Sequence, residues 1–499
     1  MKKKHTIHKV FIELNTKSKT QAYEIKDNIS SFLSSEVFPS LEKQLDSLDS
    51  KSASYAVQID KLTLDISEKT IRLNSGLKER IISSFKEKIE AIEQEDNKEI
   101  RKLKKQFKTL NKEDHYLNTF TYFLKNGTTP WWNTNESISF LFTPVVLNKI
   151  IATPAFAKQF SAIIHITEVQ ERFINQFTDT DIHKICTVIG SQQKTTINLN
   201  SKTLHKIAAL NTLERKIVWT FIIRSLIAKQ VIDNNLINYV LNKQTLSSLL
   251  KEEYTTISSE ERDEKKPFVI NKTMALDNTE SPSVSNTIEI NKKDSLKPIN
   301  DTDATKNNLK QIIKSVIKKD KKDIDTIAEN NTPNDSEGCY INNAGLVLAH
   351  PFLKHFFTHC KLLDSNNKLS NPELCVHLLH YIATGKTQQA ESDMVFEKFL
   401  CDIPVTQSIN RHVIITDEHK NQADQLLNAI NANWPAMKKS TTALLQYEFL
   451  QRPGKMVYKN ENTTITVEHK TQDIIFNTLS WNIGLIKLPW KADLMYANW

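Results

Sequence analysis

Apolar and polar positions alternate over residues 5–14, with His8, Val10, Ile12 and Leu14 on one face and Lys9, Phe11 and Glu13 on the other. That period predicts a strand. Over 19–48 the period lengthens, and Ile25, Ile29, Phe32, Leu41, Leu45 and Leu48 make one stripe of a helix. Pro39 should kink it, because proline brings no backbone donor and crowds the preceding turn. Tyr55–Ile66 alternates again, but Val57 and Ile59 set one register and Leu62, Leu64 and Ile66 the other. A bulge or break near Asp60-Lys61 is expected, since a one-residue slip reverses the faces. Residues 1–70 therefore read as a small α+β unit.

From Leu77 to about Leu110, the positions Ile81, Phe85, Ile89, Ile92, Ile100, Leu103 and Phe107 predict a charged amphipathic helix. Its spacing slips around Glu95-Asp96-Asn97, so a solvated helix with one buried stripe fits better than a coiled coil. Tyr116–Leu124 predicts a second helix closed by Gly127. The phrase Thr128-Thr129-Pro130-Trp131-Trp132 follows, in a segment taken as 71–136. Residues 137–250 read as a helical domain of short helices punctuated by Pro144, Pro154 and Gly190, clearest over 211–231. No fixed repeat period is present.

The character changes over 251–337. Lys, Asn, Asp, Ser, Thr and Glu dominate, with Pro267, Pro282, Pro298 and Pro333 scattered among them. Such a composition buries too little surface to offset ordering entropy, so a disordered low-complexity linker is expected. Inside it, Leu309, Ile312, Ile313, Val316 and Ile317 have helical spacing, read as a marginal, solvated helix. From 338 to 499 apolar density returns. Helices are expected at 344–360, 372–383, 393–401, 421–433 and 440–450, and strands between Lys455 and Leu488. The expected fold class is mainly α with α+β ends.

Composition narrows the function. Among 499 residues, 66 Lys and Arg against 58 Asp and Glu leave a net charge of +8. The excess is almost all Lys and is interleaved with acids, which suits solubility better than a nucleic-acid footprint. No run is long and apolar enough to span a membrane, and His8, Lys9 and Glu13 interrupt any secretory leader. The five cysteines are widely spaced with no CxxC pair, as expected of reduced thiols in a cytoplasmic protein.

Catalytic motifs are missing. Only eight glycines occur, and none forms a phosphate-cradling GxGxxG or Walker A loop; GxSxG and HExxH are also absent. One cluster has metal-ligand character: Cys339, His350, His355, His359, Cys360, Cys375, His377 and His380. His355 and His359 are four apart and His377 and His380 three apart, so each pair shares a helix face. No carboxylate in the cluster would orient them as ligands, so packed structural histidines are the expectation, with no metal and no cofactor. The tryptophans Trp131, Trp132, Trp434, Trp490 and Trp499 accompany proline or loop phrases and are the candidate partner contacts, since Trp is enriched at interface hot spots; buried packing at loop ends fits the same phrases equally well.

Several phrases together resemble a known family. They are Phe123–Trp132, Gly345-Leu346-Val347-Leu348-Ala349-His350-Pro351-Phe352-Leu353, and Val376–Gly385. Further along come Phe399-Leu400-Cys401-Asp402-Ile403-Pro404, Asn433–Lys438, Phe449–Gly454 and Leu479–Trp490. The chain resembles the contractile injection system tape measure family over about 1–70, 117–132 and 338–499. The resemblance implies a non-enzymatic assembly protein that sets tube and sheath length from within the tube. It also implies tube and baseplate or hub proteins as partners, with an AAA+ ATPase of the same system as a further one. It carries no catalytic residue. A binding module or chaperone for a tube, baseplate or effector component is the alternative. A ruler needs contour: this chain reaches roughly 750 Å if fully helical and about 1,800 Å if fully extended.

Overall fold

The computed structural model describes residues 5–7, 9–16, 18–49, 55–59, 61–66, 72–93, 107–130, 132–133, 137–195, 197, 199–242, 246–253, 302–325, 338–459 and 462–499. The architecture is mainly helical, with two small sheets. The chain divides into two compact units: Met1–Ile163 together with Pro333–Trp499, and Ile164–Thr332.

In the first unit, helix α1 (Lys19–Phe32) begins where Ser18 accepts a hydrogen bond from the Gln21 amide. It runs through a π turn (Leu33–Val37) into α2 (Phe38–Asp49). The π turn lies immediately before Pro39, so the ladder absorbs the missing donor without ending. Residues 5–16 are not a strand, contrary to their alternation. Val10, Phe11 and Ile12 stand exposed, and no neighbouring strand supplies the ladder that alternation alone cannot make.

Strand β1 (Tyr55–Ile59) stops where the register fault was expected, and 61–66 continues without ladder pairing. Its partner was not anticipated. The long helix expected to Leu110 ends as α3 (Ser75–Glu93), and Phe107–Asn111 is strand β2, antiparallel to β1 with Tyr55 opposite Asn111 and Ile59 opposite Phe107. Cross-strand backbone bonding overrides a helical spacing that rested on one apolar position per turn. Phe32, Val37, Leu41, Leu77, Phe85 and Ile89 form the core beside this sheet.

Helix α4 (Lys112–Asn126) is capped by the Asn111 side chain and closed by Gly127 at φ 70°, as the sequence indicates. Two short helices follow, α5 (Pro144–Ala152) and α6 (Phe156–Ser161), with Phe120, Phe156 and Phe160 packed ring on ring.

The second unit is built around α7 (Thr167–Gln176), α8 (Asp179–Gln193), α9 (Ser201–Ala208), α10 (Thr212–Ile227) and α11 (Asn234–Val240). Every residue from Ile217 to Ile223 is buried, so α10 is the central helix. Arg215 ties its start to α8: Nε donates to Asp179 at 2.7 Å, and the two terminal nitrogens reach the carbonyls of Ile174 and Phe177. The expected linker requires a correction here. Thr302–Asp325 is helix α12, and Leu309, Ile312, Ile313, Val316 and Ile317 are buried against α10 rather than solvated. Five buried aliphatic side chains, at roughly 1.5–3 kcal/mol each, outweigh the weak helix propensity that had suggested marginality. Lys310 also meets Glu252 at 2.7 Å. The rest of the expected linker, 254–301 and 326–337, lies outside the described residues.

Residues 338–499 follow the sequence reading closely. Helix α13 (His350–His359) extends a 3-10 turn at Ala344–Ala349; α14 is Pro372–Thr384, α15 Val395–Leu400 and α16 Asp417–Asn433. They pack on a five-stranded sheet of β3 (Cys339–Ile341), β4 (Gly454–Lys459), β5 (Asn462–Val467), β6 (Leu485–Ile486) and β7 (Met495–Asn498), in the order β3-β4-β5-β7-β6. Thr471–Thr478, expected to be extended, is a 3-10 helix. Met456, Ile465, Met495 and Ile486 form the covered face of the sheet. Gly345 is required by proximity: a Cβ there would collide with the carbonyl of Phe449.

Candidate partner-contact surface

Docking surface and buried loop-end packing were both open to the tryptophans, and the structure gives Trp132, Trp434, Trp490 and Trp499 internal contacts. Trp434, where α16 ends, has no exposed surface. Its ring stacks on Phe476 (centroids 5.2 Å apart) and meets Phe449 edge-on at 4.9 Å, and Nε1 donates to Thr478 and the Ile475 carbonyl. In this fold the Trp434 ring is enclosed, the loop-end packing that its phrase allowed. Adjacent proline signalled a turn, and the turn is what drives the ring inward.

The others are half-buried. Trp132 donates to Thr119 and lies edge-on to Tyr122. Trp490 donates to the Leu400 carbonyl at 2.8 Å and packs on Phe357. Trp499 donates to Asp473 at 3.2 Å and packs on Phe476, while the Arg452 guanidinium lies over its ring. Arg452, fully buried, also bonds Asp473 at 2.7 Å. Burial pushes the Asp473 carboxyl up, but hydrogen bonds from Arg452 and the Lys470 amide outweigh it and hold the group below the usual range. Trp131 lies outside the described residues.

Apolar surface that the sequence reading missed lies on the outer face of the five-stranded sheet. Tyr340 on β3, Leu485 on β6 and Tyr496 on β7 are exposed, with Lys455 over the Tyr340 ring. The period-two pattern of β5 signals such a face, but β3 and β7 are too short for periodicity to show.

The histidine cluster separates into three settings. His350 pairs with the Asn482 carbonyl, and burial pushes its pKa down. His355 and His359 stack along α13, ring centroids 3.9 Å apart. His377 and His380 are buried on α14. His377 Nε2 bonds the Asn410 carbonyl, and burial pushes its pKa down to about 4. His380 Nδ1 lies 2.9 Å from Glu397, which also accepts from Asn343 at 2.6 Å. An orienting carboxylate therefore exists after all, supplied from α15 rather than from nearby sequence. Asp393 beside it accepts from the Ser137 hydroxyl, and burial raises its pKa. Among the described residues no three His, Cys, Asp or Glu are placed to hold a metal ion. Both hollows of note lie elsewhere, one along Asn111–Asp114 and Lys149–Ala155, the other among Thr187, Thr195 and Ile232. The buried polar cluster thus orders the interior, tying Asn343 and His380 to Glu397.

No helix among the described residues is long and apolar enough to cross a membrane. No curated protein and no solved structure matches the chain. The sequence profile for contractile injection system tape measure proteins matches residues 4–499. It spans the segments over which the phrase-level resemblance is weak or absent, 137–250 and 251–337, as well as those that carry it. A match over nearly the whole length settles the family: the chain belongs to the contractile injection system tape measure proteins.

Proposed function

We infer that this protein sets the length of the tube and sheath during particle assembly, and that it works by binding rather than catalysis. The family match over residues 4–499 carries that reading. Its partners on this account are tube proteins and the baseplate or hub, with an AAA+ ATPase of the same system as a further contact, and its place is the tube lumen. The half-buried edges of Trp132, Trp490 and Trp499 supply candidate anchoring contacts, and Trp131 joins them by its place in the same sequence phrase as Trp132.

Residues 254–301 are the proposed length-setting segment. Glu252 and Lys310, in contact at 2.7 Å, keep its two ends near each other. Removing 260–300 leaves about seven connecting residues, enough for up to ~25 Å, so both flanks can still fold. A tape paid out in one direction should then shorten particles by roughly 60–150 Å, at ~1.5 Å per helical or ~3.6 Å per extended residue. A segment that leaves and returns counts half as much, roughly 30–75 Å.

A second reading, an escort for a tube, baseplate or effector component, is favoured by one observation. The phrase-bearing segments at the two ends of the sequence fold into the same compact unit rather than standing apart as anchors. Sheath lengths measured by negative-stain electron microscopy, for the deletion and a matched insertion, decide between them. Lengths that change in opposite directions support the ruler, and particles of unaltered length support the escort.

A further inference from the structure

The N-terminal body holds a strand-like segment without a sheet and a sheet without enough strands. Ile7, Val10, Phe11 and Ile12 are 51, 47, 81 and 51% exposed, a concentration of large apolar surface within six residues. Three consecutive exposed apolar side chains are a liability that folded chains keep only where something covers them. Phe11 is approached by its own Lys9, whose Nζ lies 4.5 Å from the ring centre.

The acceptor half lies nearby. Among the described residues β1 pairs with β2 alone, and two strands are marginal without a third. Residues 61–66 prolong β1 in unpaired form, with Leu62, Leu64 and Ile66 half-buried against the local core. Among the described residues, the six buried apolar side chains of that core are fringed by eleven partly buried ones.

Charge indicates what fits. Residues 1–19 carry Lys2, Lys3, Lys4, Lys9, Lys17 and Lys19 against Glu13. The approach to β1 and its prolongation carry Glu42, Asp46, Asp49, Asp60 and Asp65 against three lysines. One contact of this kind is formed already, His5 Nε2 to Asp46 Oδ1 at 3.2 Å. It places the start of the segment at the far end of α2, so that 5–16 runs back along α1 and α2 towards Ser18, its apolar side chains open to solvent.

We propose that residues 5–14 of one chain add as a strand along the free edge of β1 and 61–66 in a second copy, making a strand-exchanged dimer. Main-chain bonding supplies affinity, and the apolar faces of 7–14 complete the partner's core. A second copy is the occupant because this chain carries both complementary halves. The reciprocal exchange closes on itself, as a two-fold interface does.

The test uses the full chain in sedimentation equilibrium between ~1 and ~100 μM, chosen to bracket common dimer affinities. The expected result is a dimer that weakens as salt rises, because its charge pairing is screened. F11D/I12D should raise its dissociation constant by at least ~100-fold, from the buried area of two large side chains. V145D, at another exposed apolar position, should leave it unchanged. Mixed under mild oxidation, chains carrying I12C and chains carrying T63C should form a disulfide-linked heterodimer. A monomer throughout, a dimer indifferent to F11D/I12D, or a 12–63 disulfide closing within a single chain of the double variant I12C/T63C would each overturn the proposal.

Discussion

Replacing Trp434 by alanine separates a core tryptophan from a docking tryptophan. The side chain is fully buried, touches Phe449 and Phe476, and its indole nitrogen satisfies both the Thr478 hydroxyl and the Ile475 carbonyl. Deleting a ring of this size from a closed site costs about 3–5 kcal/mol through lost transfer energy and residual cavity. Trp434→Phe keeps an aromatic face for Phe476 but loses the hydrogen bonds and part of the ring volume, so its cost should fall between about 1 kcal/mol and that of the alanine variant. Urea unfolding followed by circular dichroism reads the whole chain. Trp219, the one tryptophan in 164–332, gives the second unit its own fluorescence signal in the alanine variant once the five tryptophans other than Trp219 and Trp434 are replaced by phenylalanine. The alanine variant should therefore lower the midpoint of the first unit and leave the Trp219 transition in place. A cost below ~1 kcal/mol for Trp434→Ala would refute the packing argument, since no buried ring of that size is so cheaply removed.

Two further outcomes follow from buried groups described above. His377 is held neutral, its pKa pushed down to about 4 by burial, whereas in the unfolded chain it takes a proton near 6.5. The unfolded state binds more protons between those values, so the stability His377 confers is complete above pH ~6.5 and is lost as pH falls towards ~4, by about 3 kcal/mol. His377→Gln should flatten that part of a pH–stability curve measured by urea unfolding; an unchanged slope would count against the burial of a neutral ring. Gly345→Ala forces a methyl group onto the Phe449 carbonyl, so the backbone must move. It should cost more than ~2 kcal/mol, as overpacking of a closed core does, and a thermal midpoint equal to wild type would show that the 3-10 turn adjusts freely.

What could be read from sequence was what neighbours in sequence decide. Asn111 and Gly127 bracket α4, and Pro372 and Gly385 bracket α14; α14 keeps its expected ends to within one residue, while α4 starts four residues before its expected start and stops at the expected Gly127, because caps act locally. The register fault near Asp60 ended β1 as anticipated. Errors arose where a distant partner decides. Phe107–Asn111 looked helical until β1 supplied its ladder, and 5–14 looked like a strand although no ladder reaches it. Helix α12 looked too polar to dock, but the receiving surface on α10, apolar on every side, sits 80 to 100 residues earlier. In the candidate surface, the proline beside Trp434 left exposure and burial equally open, and Glu397 does not show as the partner of His380 because it lies 17 residues away on another helix.

Strand β7 comes last among the strands in sequence, yet it sits between β5 and β6 and runs parallel to β5. During synthesis β6 therefore emerges with no neighbour to join. It must wait until Met495–Asn498 has cleared the ribosome and slotted in beside Thr463–Thr466. A chain cut short before Met495 would lose not an edge but the hinge-pin of the sheet: β5 would keep only β4, and β6 would have no neighbour at all.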